Sequence, residues 1–306
     1  MKLFLAKPRG FCAGVVRAVE TVKKALDIWG APIYVKHHIV HNRHVVEAFQ
    51  QRGVHFVENL DEVPEGCRVI YSAHGVPPAV RACAKRRGLI EIDASCGLVI
   101  RIHSAVKRFA KKGYHILLIG HRNHVEVMGI VGEAPESITI IESIEDVKIL
   151  PPLGHKLFYI TQSTLSVDDV EEIITTIKQY YPHIESLSYS SICYATTNRQ
   201  SALKQITHFV DVVFVIGDPN SSNSNRLWEI AIKKGVSSYL INDPFEIDPQ
   251  WLKGVKKIGL TVGASTPECV VKKCIEKLIF LGVTRVEEMN FAEEEVFFQL
   301  PKEVLL

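Results

Sequence analysis

Apolar positions along the chain alternate between helical spacing and short continuous runs, and the alternation occurs three times. In the first round Val15, Val16, Val19, Val22 and Leu26 mark one face of a helix, and a short strand ending in polar residues follows. In the second, Leu98, Val99, Ile102, Ala105, Val106 and Phe109 fall at the same spacing, and the strand His115 to Ile119 runs into Gly120 and His121. The third has Ala202, Leu203, Ile206 and Phe209, then a strand from Asp211 to Ile216 that runs into Gly217 and Asp218. Each round begins directly after a cysteine: Cys12, Cys96 or Cys193.

A second half follows in every round. A helix from Asn42 to Arg52 leads to a strand at Val54 to Val57 and the acidic stretch Glu58 to Val63. Strands at Ser137 to Ile141 and Ser238 to Ile241 lead likewise into Glu142 to Val147 and Asn242 to Ile247. A further apolar strand then stops at small polar residues, Arg68 to Tyr71 at Ser72 to Gly75, Lys156 to Ile160 at Thr161 to Thr164, and Lys257 to Val262 at Gly263 to Thr266. Strand, polar turn and helix in this alternation predict α/β domains with mostly parallel sheets. The expected domains are residues 1–95, which include the N-terminal strand and the Cys12 loop, then 96–192 and 193–281. Residues 282–306 break the pattern, with Glu287, Glu288, Glu293, Glu294 and Glu295 interleaved with Phe291, Phe297, Phe298 and Leu300, and read as a tail docked by its aromatics.

Composition narrows the function classes. With 47% hydrophobic and 23% charged residues in 306, this is the make-up of an ordinary soluble globular protein with a sizeable core. A net charge of only +2 gives no electrostatic case for a nucleic acid or an anionic membrane as partner. No apolar run approaches the ~18 residues of a membrane span, and Leu3 to Leu5 is too short for a signal segment, so the expected compartment is the cytosol. Seven cysteines without a secretion signal point to free thiols or metal ligands.

Three of those cysteines differ from the rest. Cys12, Cys96 and Cys193 hold equivalent places just before a helix, where the N-terminal dipole favours a thiolate, and they lie a domain length apart. Cys67 opens a strand, and Cys83, Cys269 and Cys274 fall inside helix patterns, where cysteine is usually a small apolar side chain. Three thiolates meeting at one point suit iron–sulfur chemistry better than structural zinc, which normally closes its tetrahedron with four ligands. Such a cluster leaves one iron open, able to accept a substrate oxygen and to pass electrons.

Ligands in parallel α/β sheets collect beyond the carboxyl ends of the strands, and here those ends carry His, Ser, Thr, Asn or Asp. His41, His74 and His124 come from different strand ends, and the run Ser221 to Asn225 precedes a helix. Imidazole, hydroxyl and amide donors beside helix N–H groups make a cradle for a phosphate or diphosphate, although helix capping alone needs only one residue of the run. His124-Val125-Glu126 has the H-x-E form of a zinc deaminase, but the downstream P-C-x-x-C of that signature is missing. Glu126 therefore reads as a general acid, its proton retained to higher pH beside a diphosphate and an anionic cluster.

At these residues the sequence resembles the 4-hydroxy-3-methylbut-2-enyl diphosphate reductase family (LytB/IspH type). The motifs are Arg9 to Gly14, Ser72 to Val76, Gly120 to Glu126, Ile192 to Gln200 and Asn220 to Arg226, and the likeness runs from Arg9 to about residue 280. The resemblance implies a trefoil of three α/β domains around one four-iron, four-sulfur cluster held by Cys12, Cys96 and Cys193. It implies diphosphate binding by His41, His74, His124, Ser221, Ser222, Asn223 and Ser265, proton delivery by Glu126 with His124, and a place for Ser163 near the substrate alcohol. The reaction it implies is reductive removal of the allylic hydroxyl by two electrons and two protons, giving isopentenyl and dimethylallyl diphosphate, the last step of the non-mevalonate pathway. No GxGxxG stretch follows a strand, so the implied electron source is a separate ferredoxin or flavodoxin.

Four positions depart from the family pattern: Ser95 and Gly97 stand where Thr and Pro are usual, Val125 replaces a common Pro, and Ser163 replaces Thr. Ser163 keeps a hydroxyl, whereas Gly97 is expected to loosen the turn after Cys96. Two other classes share some of these features, a zinc-dependent hydrolase of a phosphorylated substrate and a non-catalytic metabolite sensor with a redox-switching cluster. The full set of motifs disfavours both.

Overall fold

The computed structural model describes residues 1–154, 156–188 and 191–305. Strand β1 (Lys2–Lys7) and helix α1 (Ala13–Trp29) open the chain, followed by β2 (Ile33–Lys36), α2 (Arg43–Gln50), β3 (Val54–Val57), β4 (Arg68–Tyr71), α3 (Pro78–Arg86) and β5 (Ile90–Asp93). The next round is α4 (Gly97–Lys111), β6 (His115–Ile119), α5 (Val125–Val131), β7 (Ile138–Ile141), α6 (Ile144–Lys148), β8 (Leu157–Thr161), α7 (Val167–Tyr180) and β9 (Glu185–Ser186). The last comprises α8 (Tyr194–Ile206), β10 (Val212–Ile216), α9 (Ser222–Lys233), β11 (Ser237–Ile241), β12 (Lys257–Val262), α10 (Glu268–Phe280) and β13 (Arg285–Asn290).

Three sheets result, each parallel throughout. Their strand orders are β3-β2-β4-β5, β7-β6-β8-β9 and β11-β10-β12-β1-β13. The first four positions of each order are one pattern used three times, with the third sheet closed by β1 from the other end of the chain. Strand β1 therefore belongs with the third sheet and not with the first 95 residues, where the sequence pattern places it. The cause is pairing: Leu3, Phe4 and Leu5 sit beside Ile258, Gly259 and Leu260 of β12, and Leu3 and Leu5 are buried with the strand and helix residues of that sheet. Val212 to Ile216 in β10 is buried at every position, as a central parallel strand covered on both faces must be.

The chain forms two compact units, one of Met1–Val15, His41–Val45 and Tyr194–Phe297, the other of Val16–Val40, Val46–Cys193 and Phe298–Leu306. The third sheet lies in the former and the other two sheets lie in the latter. The final stretch is not a simple aromatic tail. Arg285 to Asn290 forms the edge strand β13 against β1, and Phe297 is 76% exposed. Polar contacts hold the segment beyond it: fully buried Arg199 donates to Glu294 Oε1 (3.0 Å) and to the carbonyl of Gly10 (2.9 Å). An arginine this deep needs that carboxylate, because an unpaired buried charge is strongly destabilising.

Among the described residues no helix is long and apolar enough to cross a membrane.

Candidate active site

Each of the three special cysteines precedes a helix, and each is fastened by the same backbone bond. The Cys12 N–H donates to Ala264 O (3.2 Å), the Cys96 N–H to Ala73 O (2.9 Å) and the Cys193 N–H to Ser163 O (3.0 Å). The acceptors lie just beyond β12, β4 and β8, the third strand in each sheet order. A parallel strand that ends in small residues leaves its last carbonyls free, and the cysteine loops take them up. Each acceptor is, or adjoins, a candidate substrate residue: Ser265 follows Ala264, His74 follows Ala73, and Ser163 is itself the third acceptor. All three thiols are partly exposed, whereas Cys274 is buried in the third-sheet core, where burial pushes its thiol up to about 12.

Within the unit holding the first two sheets, Glu126, Ser163, His124 and His74 form a connected group. Ser163 donates twice to the Glu126 carboxylate, from its N–H to Oε1 (2.7 Å) and from Oγ to Oε2 (2.8 Å). Glu126 is only 2% exposed, and burial raises its proton affinity more than these two bonds and the His103 charge lower it. His124 caps α5, its Nδ1 accepting the Glu126 N–H (3.2 Å), which leaves the ring proton on Nε2 as a donor. Burial, then the charges of His121 and His37, depress this histidine to about 4, so it is neutral at pH 7. The His74 ring stands edge-on to it with centroids 6.3 Å apart, and Ser72 Oγ lies 3.2 Å from His74 Nδ1.

Within the other unit, His41 and the serine-rich run are joined by the ends of β10 and β12. Ser265 Oγ donates to His41 O (2.9 Å), while Asp218, just beyond β10, accepts the Arg43 N–H (2.8 Å). Ser221 caps α9 by accepting the Ser224 N–H, so one residue of the run does the capping that the sequence allows. Asn223 is the informative one. It is 5% exposed, yet neither its amide nitrogen nor its amide oxygen has a partner among the described residues. A buried amide left this way costs free energy until something pairs with it, and at the N-terminus of a 12-residue helix an anion is the suitable partner.

Two glycines that the motifs do not single out make this arrangement possible. A Cβ on Gly217 or on Gly263 would lie 2.2 Å from Ser224 Oγ, so α9 can enter between β10 and β12 only because both positions lack a side chain. Gly217→Ala and Gly263→Ala should each cost about 1–3 kcal/mol by overpacking and shift the start of α9. Thermal unfolding and substrate KM check this: both variants melt lower and show a raised KM, and wild-type values in both measurements would remove the cradle's dependence on this close approach.

The departure at Gly97 also has a physical account. A Cβ there would fall 2.6 Å from the ring of Phe298, so the chain after the edge strand packs over the Cys96 turn and takes the space a side chain would fill. Buried Arg17 fixes the same loop, donating to Ser95 O (2.6 Å) and to Gln299 O (2.8 Å). The turn is thus held from outside rather than loosened. Val125 is the first residue of α5, where the N–H is free in any helix and proline is optional.

Residues 3–279 match the LytB protein family. This chain belongs to that family. A LytB-family relative from Protochlamydia amoebophila, named 4-hydroxy-3-methylbut-2-enyl diphosphate reductase, is 63% identical over all of this chain and 98% of its own length. Its namesake from Chlamydia pneumoniae is 59% identical over 99% of this chain and 98% of its own. Among solved LytB-family structures, the E-1-hydroxy-2-methyl-but-2-enyl-4-diphosphate reductase of Plasmodium falciparum superposes with a TM-score of 0.96. It shares 46% identity, over 99% of this chain and 96% of that one.

A LytB-family chain should offer a place for its metal group. Among the described residues no group of three or more His, Cys, Asp or Glu side chains forms a ready-made metal site, and Cys12 belongs to one compact unit while Cys96 and Cys193 belong to the other. The donor set still fits a thiolate-bound cluster: three thiols outside any disulfide, each partly exposed, each at a helix start and each fixed through its own N–H.

Proposed function

We propose that this chain reduces (E)-4-hydroxy-3-methylbut-2-enyl diphosphate to isopentenyl and dimethylallyl diphosphate, the closing step of the non-mevalonate route to isoprenoids. The observation that carries this reading is the repeated bond between a cysteine N–H and a strand end bearing a candidate substrate residue. On this reading the bond would link a metal ligand to a substrate-binding strand end three times in one chain. Cys12, Cys96 and Cys193 would hold a four-iron, four-sulfur cluster, which when bound supplies the two electrons and a Lewis-acidic iron. Those electrons enter from a separate ferredoxin or flavodoxin.

The chain's own groups do the rest. Ser221, Ser222, Asn223 and Ser265, with His41, hold the diphosphate, and the orphaned amide of Asn223 gains a partner as it binds. His74 and neutral His124 add imidazole donors. Glu126, whose proton burial holds to higher pH than in an ordinary glutamate, hands a proton through the hydroxyl of Ser163 toward the leaving oxygen, with Ser163 replacing the donated proton from Glu126. The C–O bond breaks, the hydroxyl takes this proton and departs as water, and two electrons with a second proton complete the five-carbon product.

Protein purified without oxygen and supplied with an artificial one-electron donor should convert the allylic diphosphate to the two products. Its colour should be brown, with iron and acid-labile sulfide present. Because three ligands leave one iron open, oxygen should bleach it faster than a four-cysteine ferredoxin, and bound substrate should slow that loss. Colourless protein with stoichiometric zinc and phosphatase activity would replace the reductase reading with a hydrolase.

A further inference from the structure

His103 lies on the apolar stripe of α4, between Ile102 and Val106, and is 8% exposed. Its Nδ1–H donates to Glu133 Oε1 (2.7 Å); the ring proton belongs there because a carboxylate can only accept. The Glu133 side chain is 3% exposed and also meets Lys107 Nζ at 3.0 Å. Burial would raise the Glu133 carboxyl, but the bonds from His103 and Lys107 outweigh it and hold it below the usual carboxylate range. The other ring nitrogen, Nε2, is buried without a partner among the described residues.

The ring is wedged against two backbone segments of the candidate site. A Cβ on Gly75 would come within 3.1 Å of His103 Nε2, and one on Gly129 within 3.3 Å of its Cε1 and 3.8 Å of the Gly75 carbonyl carbon. Gly75 follows His74 directly and adopts a left-handed φ of 77°, while Gly129 lies one helical turn beyond Glu126 on α5. The imidazole therefore touches the turn that presents one candidate donor and the helix that presents the candidate acid. A cavity of about 120 Å³, lined by His103, Ser95, Arg81 and Lys107 among others, opens behind it.

We propose that His103, paired with Glu133, is a positioning residue for the reaction: it sets the separation of the His74 turn from the Glu126 helix. This rests on the proposed role of Glu126. The other titratable groups around that carboxyl are His124 at its own helix cap, neutral at pH 7, and His74 and His121 on the neighbouring strand ends. Lys107 is already engaged with Glu133.

The test compares His103→Ala, which removes the wedge, with Glu133→Gln, which keeps the ring in place and an acceptor for its Nδ1–H. In His103→Ala, kcat should fall roughly 10- to 100-fold, the range for a misplaced reacting geometry, with KM changed far less. Glu133→Gln should keep kcat within a few-fold of wild type, because the ring stays against Gly75 and Gly129. A second readout needs no turnover. The infrared band of the protonated Glu126 carboxyl, assigned by its absence in Glu126→Gln, should shift in frequency in anaerobic His103→Ala holoprotein, because α5 moves relative to the Ser163 bonds, and should keep its wild-type frequency in Glu133→Gln. If His103→Ala melts lower while kcat, KM and the infrared band stay at wild-type values, His103 is a core histidine and the proposal falls. A wild-type protein inactive on the diphosphate would overturn the proposed reaction instead, and the infrared band would still decide this inference.

Discussion

Replacing any one of Cys12, Cys96 and Cys193 by serine should abolish most of the bound iron and sulfide and at least 99% of the turnover, an effect of about two orders of magnitude or more. With three protein ligands, a single loss leaves two, and a hydroxyl is a far weaker ligand for iron than a thiolate. The three variants should behave alike because their surroundings are alike: a helix start on one side and a strand-end carbonyl on the backbone N–H on the other. Cys83→Ser, in α3, serves as the control and should keep iron and activity. Iron and sulfide assays with visible spectra, made anaerobically, measure the effect. Retention of a full cluster by any of the three would remove that residue from the ligand set, and equal damage from Cys83→Ser would show that cysteine loss harms folding in general.

The threefold plan of the fold was legible because it is written in hydrophobic period, helix stripe then buried run, and parallel strands covered on both faces leave long apolar runs such as Val212 to Ile216. What escaped was the fourth strand of the first two sheets. Ile90 to Asp93 alternates polar and apolar over only four residues, and Glu185–Ser186 is two polar residues long, so neither stands out by pattern. Strand β1 is apolar enough to be seen, but its partner lies near the far end of the chain, and period alone does not say which strand pairs with which. The anchoring of the last segment was hidden for a similar reason. Its aromatics drew the eye, whereas the grip on Glu294 comes from Arg199, a charged residue on a helix whose sequence gives no sign of full burial.

The candidate site divides the same way. His41, His74, His124, Glu126 and Ser221 to Asn223 were legible as polar residues at strand ends, where parallel sheets gather ligands. The glycines that let α9 approach were not, since Gly217 and Gly263 read as ordinary turn residues until Ser224 is seen between them. His103 did leave a signal, a histidine set within an apolar stripe at core spacing, but a pattern shows the burial without showing Glu133 or the two glycines that the ring touches.

Substitution of Glu126 by glutamine should separate binding from chemistry. Glutamine keeps the size of the side chain, and its amide oxygen can still accept the Ser163 N–H that now reaches Oε1 at 2.7 Å, so α5 and the β8 end should hold their places. The bond at Oε2, where Ser163 Oγ stands 2.8 Å away, can be kept with its direction reversed, because the amide NH2 donates where the carboxylate accepted. The change also removes a buried ionisable group, so thermal stability should not fall. What is lost is the acidic proton. Turnover should therefore drop by about 10²- to 10⁴-fold, the range for a missing general acid, while iron content and substrate affinity stay near wild type. The pH profile supplies an independent check. Burial raises the proton affinity of Glu126, so the wild type should hold its active protonated form to higher pH than an ordinary glutamate and lose rate as pH rises through that raised value, and the variant should lack this limb. His41→Ala makes the contrast: removing a cradle donor should weaken binding and slow the reaction together, because His41 sits where Ser265 fastens its loop. Steady-state reduction with an artificial donor, beside an anaerobic substrate titration followed by the visible spectrum, distinguishes the two. If Glu126→Gln turns over within a few-fold of wild type, Glu126 is not the proton donor, and the Nε2–H of His124 or a phosphate oxygen of the substrate takes its place.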